Sequence, residues 1–98
     1  MTTTVFIAIW ELSLPEGGHR DPNLLVLGRA VRRMREQQGM SADELAGATG
    51  TSRHRIDALE TGHLDPTYEL LLALAEGLDT QPSTLVTLAE RLKESNEP

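Results

Sequence analysis

The chain has 98 residues, the length of one domain, and it contains no cysteine. The lack of cysteine excludes a disulfide-stapled scaffold, a thiolate metal site and a thiol nucleophile. Fifteen acidic side chains against nine lysines and arginines give a net charge of −6, which argues against a protein that binds every polyanion. The longest fully apolar runs, residues 5–10 and 70–75, are too short to span a bilayer, and no basic leader precedes the first of them. We therefore expect a cytoplasmic domain with no membrane segment.

The charges are unevenly distributed along the chain. Residues 28–39 carry four arginines against one glutamate, whereas residues 61–98 carry two cations against seven acids. On charge alone, the simplest interpretation of the arginines is a solvated helix face. The acids that follow Gly62 are expected to face away from any bound polyanion.

The N-terminal residues read differently from the rest of the chain. Residues 2–12 are rich in β-branched and aromatic side chains and contain neither glycine nor proline, which predicts a strand. Pro15, Gly17 and Gly18 mark a loop after this strand.

Five helices are predicted after the loop, and polar caps and glycines give their boundaries. Asp21 and Pro22 begin the first helix, and Gly39 ends it. Ser41 and Glu44 form a capping box at the start of the second helix. The remaining boundaries are Gly50 at the end of the second helix, Thr51 and Ser52 before the third, Gly62 after it, Asp65 to Thr67 at the start of the fourth, and Pro82 at the start of the fifth.

Aliphatic side chains recur at three- and four-residue steps in these helices, which predicts a buried face on each. Tyr68 is expected on the buried face of the fourth helix. The sequence thus predicts an all-α bundle of five helices over residues 22–93, with an added N-terminal strand or arm and loop over residues 1–21 and a frayed tail over residues 94–98. The predicted core consists of Leu27, Val31, Met34, Leu45, Ala46, Ile56, Leu59, Leu71, Leu74, Leu78 and Leu85.

Two short helices around Gly50 carry the functional signal. A capped helix, a short turn with glycine and a second short helix are typical of a helix-turn-helix unit. The second helix of such a unit presents its N-terminal residues to base edges in the major groove of DNA. Here these residues are Arg53, His54 and Arg55, although the helix dipole opposes cations at a helix start. A bound anion would remove that conflict, so the pattern points to nucleic acid.

Over residues 24–92 the sequence resembles the Cro/repressor-type (XRE-like) helix-turn-helix family of DNA-binding proteins. The resemblance implies a lambda-repressor-like bundle in which helix 53–61 is the recognition helix. The matching positions are residues 27–28, Arg35, Gly39, residues 41–46, residues 50–52, Ile56, residues 59–62, Pro66, residues 71–75 and Leu78.

The resemblance also implies roles for individual residues. Ser41, Ser52 and Thr61 would bind phosphates, whereas side chains early in the recognition helix would face the bases. Arg35 and Glu60 match positions that form a partly buried ion pair in this family, so we predict a structural role for both. The full set of predicted DNA-contacting residues is Ser41, Thr51, Ser52, Arg53, His54, Arg55, Asp57, Ala58 and Thr61.

Two features depart from the family pattern. Ala42 replaces a glutamine that often touches DNA, and residues 63–65 are not basic, although the loop after the recognition helix often is. Each lost phosphate contact weakens binding and flattens its salt dependence. These departures, together with the acidic C-terminal third, favour an alternative function. That alternative is a protein-interaction module on the same fold, such as an antitoxin or an accessory subunit that meets a basic protein.

A lone strand in a helical domain needs a partner for its backbone groups. We predict that strand 2–12 pairs with the same strand of a second copy, which gives a two-fold dimer. One alternative is an arm folded onto the helices, and another is a dimer surface on the fifth helix through Leu85, Leu88 and Leu92. The residues predicted to dimerise through the strand are Val5, Phe6, Ile7, Ile9 and Trp10.

The predicted function is that of a homodimeric repressor that binds a palindromic operator in double-stranded DNA. Three histidines, His19, His54 and His63, have no ligand spacing, and no nucleophile stands in a recognisable arrangement with a base. We therefore expect neither a metal nor another cofactor, and no enzymatic activity.

Overall fold

The computed structural model describes residues 21–95, and this part of the chain forms five α-helices. They are α1 (Pro22–Gln37), α2 (Ala42–Thr49), α3 (Arg53–Glu60), α4 (Tyr68–Gly77) and α5 (Pro82–Ser95). The predicted all-helical bundle of five helices is confirmed. The predicted strand over residues 2–12 lies outside the described residues, as do the dimer residues assigned to it, Val5, Phe6, Ile7, Ile9 and Trp10.

Polar side chains cap the helix starts that frame the central turn. The Ser41 hydroxyl accepts a hydrogen bond from the Glu44 amide at 3.0 Å, and the Glu44 carboxylate accepts one from the Ser41 amide at 2.8 Å. The predicted capping box is therefore confirmed. Ser52 caps α3 through its side-chain oxygen, and such a cap typically contributes about 1 kcal/mol. Gly50 ends α2 at φ +72°, a left-handed conformation that favours glycine.

The core forms where all five helices meet. Ala46 is buried there, and Met34 packs against the core from its edge. Leu27 and Leu71, also predicted as core, are only half-buried. Fully burying one such aliphatic side chain contributes about 1.5–3 kcal/mol to the stability of the fold. The buried side chains of α2 and α3 therefore hold the turn between these two helices in place. The large side chains that are fully buried are Val31, Leu45, Ile56, Leu59, Leu74, Leu78 and Leu85, all of them predicted.

The start of α4 differs from the prediction. Thr67 is the N-cap and Tyr68 the first helical residue, so the helix begins later than Asp65. Tyr68 is 73% exposed rather than buried, and Leu72, one turn further on the same side, is 40% exposed. This side of α4 therefore faces solvent, because the helix buries its opposite side through residues such as Leu74.

The end of α5 also differs from the prediction. The helix continues through Ser95, so Glu94 and Ser95 are helical rather than part of a frayed tail, whereas residues 96–98 lie outside the described residues. Lys93 Nζ donates a hydrogen bond to Asn23 Oδ1 at 2.8 Å, which ties the last turn of α5 to the first turn of α1. A cation in the last turn also complements the helix dipole. Within residues 21–95, none of the helices has the length and apolar character needed to cross a membrane.

A glycine allows α1 and α3 to touch. A Cβ atom added to Gly28 would lie 2.3 Å from the carbonyl oxygen of Leu59 and 2.8 Å from that of Glu60. A residue with a Cβ atom would have to push the two helices apart. The backbone of α1 therefore sets the position of the C-terminal end of α3.

Candidate nucleic-acid interface

Helix α3 has one buried and one exposed side. Ile56 and Leu59 are each 1% exposed and anchor the helix in the core. The exposed side carries the residues that the sequence predicted to face DNA bases, whereas Ala58 from the same set is half-buried. The exposed residues are Arg53, His54, Arg55 and Asp57.

A buried ion pair holds the C-terminal end of α3. Arg35 donates hydrogen bonds to both carboxylate oxygens of Glu60, at 2.7 Å from Nε and 3.0 Å from Nη2. Its Nη1 atom donates a third bond, at 2.9 Å, to the carbonyl oxygen of Met40. The Arg35 and Glu60 side chains are 13% and 6% exposed, so water competes little for this bidentate contact. Hydrogen bonding to Glu60 raises the pKa of the Arg35 guanidinium, and burial partly opposes that rise.

This ion pair fixes three segments at once, because Arg35 lies on α1, Met40 in the turn before α2 and Glu60 on α3. The geometry is that of the structural pair expected from the resemblance. Helix α3 is therefore held firmly at the end remote from its exposed arginines. A rigid helix loses little conformational entropy when it meets a ligand.

The two predicted phosphate-binding serines are already used as caps, but only as acceptors. The Ser41 oxygen accepts from the Glu44 amide, and the Ser52 oxygen accepts from the Arg55 amide at 3.1 Å. Each hydroxyl hydrogen remains a possible donor to a phosphate oxygen. The Ser41 amide, by contrast, donates to the Glu44 carboxylate and is not available to a phosphate while the capping box is closed.

The two threonines predicted to contact DNA have intramolecular roles. Thr61 is the C-cap of α3, not its last helical residue, and its hydroxyl donates to the Asp57 carbonyl oxygen at 2.8 Å. The same oxygen lies 3.0 Å from His63 Nδ1. Thr51 is half-buried, and its amide donates to the Ala46 carbonyl oxygen at 3.0 Å. In the free protein both residues thus shape the ends of the helices.

A groove of about 380 Å³ opens between α1, α2 and α3. Arg32 lines it as well, a residue that the sequence reasoning missed. Arg32 precedes Arg35 by three positions, which places both on one side of α1, and that spacing is the signal that could have found it. The groove brings together four of the predicted DNA-contacting residues, Ser41, Arg53, Asp57 and Thr61. The others, Thr51, Ser52, His54, Arg55 and Ala58, are not part of its lining.

The position of Ala42 has a packing role that the sequence did not reveal. Ala42 is 9% exposed and belongs to the core cluster, although it also lines the groove. The residue that stands in place of the family's glutamine is thus part of the contact between α2 and the core.

The positive charge of Arg53 lies next to two carboxylates, one on α2 and one on α3. Its Nη1 atom donates a hydrogen bond to Asp43 Oδ2 at 3.3 Å, and its Nε atom lies 3.6 Å from Asp57 Oδ2. The side chains of Arg53, Asp43 and Asp57 are 58%, 70% and 54% exposed. The expectation that the acids after Gly62 face away from a bound polyanion is therefore incomplete as an account of the charges near Arg53. The acids beside Arg53 come from α2 and α3, whereas the expectation considered only those after Gly62.

The neighbouring residues His54 and Arg55 are exposed at the start of α3. Their donor groups point away from the core. They lie next to Arg53, which is paired with Asp43 and Asp57. In the part of the chain that the structure describes, no cluster of histidine, cysteine and acidic residues could hold a metal ion. The chemistry that this surface offers is therefore hydrogen bonding and charge.

Comparisons with known proteins give the family. A family model described as a helix-turn-helix domain matches residues 26–92. The competence pilus inhibition repressor of Acinetobacter baylyi is 35% identical over 66 residues, which cover 67% of this chain and 60% of that protein. The HTH-type transcriptional regulator SutR of Escherichia coli is 33% identical over 61 residues, 62% of this chain and 34% of that protein. The chain thus spans less than two thirds of the length of these two relatives.

A solved structure agrees with this assignment. The restriction-modification controller protein C.AhdI from Aeromonas hydrophila superimposes with a TM-score of 0.64 and 30% sequence identity. The similarity covers 64% of this chain and 96% of C.AhdI. The resemblance to Cro/repressor-type DNA-binding proteins is therefore confirmed, and the chain belongs to the helix-turn-helix domain family.

Proposed function

We propose that the protein is a sequence-specific transcriptional regulator that places the N-terminal end of α3 in the major groove of DNA. One observation carries the proposal: Arg53, His54 and Arg55 are exposed on a helix whose other end is fixed by the Arg35–Glu60 pair. Helices of such units read base edges with their first residues. A regulator of this kind is not an enzyme, and it acts where the chromosome lies, so the proposal includes a cytoplasmic location.

In this proposal, phosphate contacts set the register and base contacts select the sequence. The hydroxyls of Ser41 and Ser52 donate to phosphates, and Arg32 adds a cation at the groove. Arg53 reads a base, and guanine suits it best because O6 and N7 lie side by side in the major groove. His54 contacts the neighbouring base edge.

We further propose a homodimer that represses by covering a palindromic operator. The similarity to a protein named as a repressor supports this role. Two copies would present two α3 helices about 34 Å apart, one turn of DNA. For the dimer contact we retain strand 2–12; on the alternative surface of α5, Leu85 is fully buried, whereas Leu88 and Leu92 are half-buried. Deleting residues 2–12 should convert a dimer to a monomer by mass in solution, and an unchanged dimer would reject the strand.

A duplex enriched by the wild-type protein from a random-sequence library, here called the selected duplex, tests the DNA proposal. Arg53→Ala should weaken binding of the selected duplex about tenfold or more in a gel shift. The matched control is Arg91→Ala, which removes one positive charge from the exposed surface of α5 and should change little. The proposal fails if the wild-type protein binds no duplex at low salt, or if the two variants weaken binding equally.

A second candidate function is docking onto a basic protein, and one feature of α4 favours it. Tyr68 and Leu72 are exposed on the same side of this helix. They lie within residues 56–90, a stretch that contains six acids besides Asp57 and no lysine or arginine. An exposed apolar patch in an acidic segment suits a basic partner surface. Failure of DNA binding at low salt, with intact helix content, would favour this candidate.

A further inference from the structure

We infer that an apolar groove between α1 and α5 is the docking site of residues 5–10 of the same chain. The groove has a volume of about 270 Å³ and is here called the α1–α5 groove. Four aliphatic residues make up most of its lining, Val26 and Leu27 from α1 and Val86 and Ala89 from α5. The inference goes beyond the proposed function, because docking within one chain needs neither DNA nor a second copy.

The α1–α5 groove exposes apolar surface that nothing in residues 21–95 covers. Val86 is 44% exposed, and in this part of the chain only Tyr68 and Leu72, both on α4, are also large apolar residues that are exposed. The short side chain of Ala89 leaves space between the two helices beside Val86. Removing such a surface from water is favourable, so the groove suits an apolar occupant.

The place where residues 1–20 join the bundle favours this segment as the occupant. Asp21 caps α1 by accepting a hydrogen bond from the Asn23 amide at 2.9 Å. Asn23 lines one end of the groove, where its Oδ1 atom accepts the bond from Lys93 on α5. The chain therefore enters α1 beside the groove. Ten residues, 11–20, span up to about 33 Å. The groove extends only about 10 Å along α5, so residues 5–10 can reach all of it.

Residues 5–10 have the chemistry that the groove requires. They are six consecutive apolar residues without a charge. Side chains alternate across an extended segment, so Phe6, Ala8 and Trp10 share one side. We place this side in the groove because it carries the two aromatic rings, which bury the most apolar area. A buried indole N–H needs an acceptor, and the exposed Glu90 carboxylate at the groove supplies one.

Docking would also support the strand pairing proposed for the dimer. A two-stranded ribbon alone is marginally stable in water, and packing against a helix stabilises it. A strand seated on α1 and α5 of its own chain still presents a backbone edge to a second copy. The short connection through residues 11–20 raises the local concentration of the segment at its own groove. The groove of the same chain is therefore favoured over that of a partner.

Trp10 is the only tryptophan, so its fluorescence reports the surroundings of this segment in the full-length chain. We expect the folded protein to emit at a shorter wavelength than the urea-unfolded chain, because the indole lies in an apolar groove. Val86→Asp places a carboxylate there, which is costly to bury, and should shift the emission to the unfolded value. The matched control is Leu72→Asp, which adds the same charge to an exposed apolar position of α4 and should leave the emission unchanged.

A mixing experiment identifies the chain whose groove is occupied. Val86→Asp and Trp10→Phe proteins are unfolded together in urea and refolded, so all tryptophan emission comes from the copy with the altered groove. Docking within one chain predicts that the emission stays at the unfolded value. A return toward the wild-type wavelength would mean that Trp10 reaches the intact groove of a second copy, and it would overturn the inference.

Three other results would also overturn it. Wild-type emission at the unfolded value would mean that Trp10 is in water, and unchanged emission in Val86→Asp would mean that it is buried elsewhere. Equal shifts in Val86→Asp and Leu72→Asp would reveal a general effect of charge. Circular dichroism shows whether the helices are intact, and if Val86→Asp does not fold, Val86→Ala should give a smaller shift in the same direction. Gel shifts with the selected duplex test the proposed function separately, so either proposal can fail alone.

Discussion

The two ends of α3 carry similar chemistry in different surroundings. At the C-terminal end, Glu60 accepts two hydrogen bonds from Arg35, and both side chains are buried from water. At the N-terminal end, Arg53 pairs with Asp43 and Asp57, and all three remain more than half exposed. Because it is buried, Arg35 keeps one position and has a structural role. Exposure leaves Arg53 free to exchange a carboxylate for another acceptor.

This difference follows from the cost of an unpaired charge. A buried charge that loses its partner is left without water or counter-charge, whereas an exposed one is simply solvated. Substitutions at the exposed N-terminal end of α3 therefore need not destabilise the fold. We expect substitutions at the C-terminal end of α3 to change mainly the stability of the fold. Substitutions at its N-terminal end should change mainly DNA binding.

The largest effect on stability is expected for Glu60→Ala. The substitution leaves the Arg35 guanidinium partly buried without its carboxylate, which typically costs about 3–5 kcal/mol in the free energy of unfolding. Urea unfolding measures this loss. The matched control, Glu36→Ala, breaks the exposed Arg32–Glu36 pair and should change the unfolding free energy by less than about 0.5 kcal/mol. Similar losses in the two variants would contradict the distinction between buried and exposed pairs.

The next effect concerns the contact between α1 and α3. Gly28→Ala places a Cβ atom against the Leu59 carbonyl oxygen and should reduce the unfolding free energy by about 1–3 kcal/mol. Gly47→Ala is the control, because a Cβ atom on that α2 glycine meets nothing within 4 Å and should stabilise the helix by up to about 1 kcal/mol. Opposite shifts of the urea midpoint are expected. A neutral Gly28→Ala would mean that the two helices separate freely.

The smallest effect on stability is expected at the exposed start of α3. Ser52→Ala removes the cap and should cost about 1 kcal/mol, whereas Ser52→Gly should cost only a few tenths of that. Both substitutions remove the hydroxyl, so both should weaken DNA binding to a similar degree, for all sequences alike. Gel shifts with the two variants check this, and normal binding by Ser52→Gly would rule out a phosphate contact by the hydroxyl.

Much of this fold could be predicted because its signals are local. The capping box of Ser41 and Glu44 lies within one turn, and the left-handed end of α2 at Gly50 follows from a single glycine. The ion pair of Arg35 and Glu60 joins residues 25 positions apart, and only the resemblance to a known family pointed to it. Long-range contacts of this kind have no periodic signature in one sequence.

The missed features depend on how helices pack rather than on which residues form them. Asp43 looked like an ordinary acid at a helix start, and its bond to Arg53 exists only because the turn at Gly50 brings α2 and α3 together. Tyr68 matched the apolar spacing of α4 but lies on the side that the core does not cover. The continuation of α5 to Ser95 accompanies a bond from Lys93 to the start of α1, which no local pattern contains.

The central claim is that Arg53 reads a guanine in the major groove, and methylation interference tests it most directly. Methylation of guanine N7 in the selected duplex blocks the acceptor that the guanidinium needs. We expect at least one guanine whose methylation prevents binding by the wild-type protein, and no interference by that guanine with Arg53→Ala. Binding that tolerates methylation of every guanine, or an interference pattern that Arg53→Ala leaves unchanged, would contradict the claim.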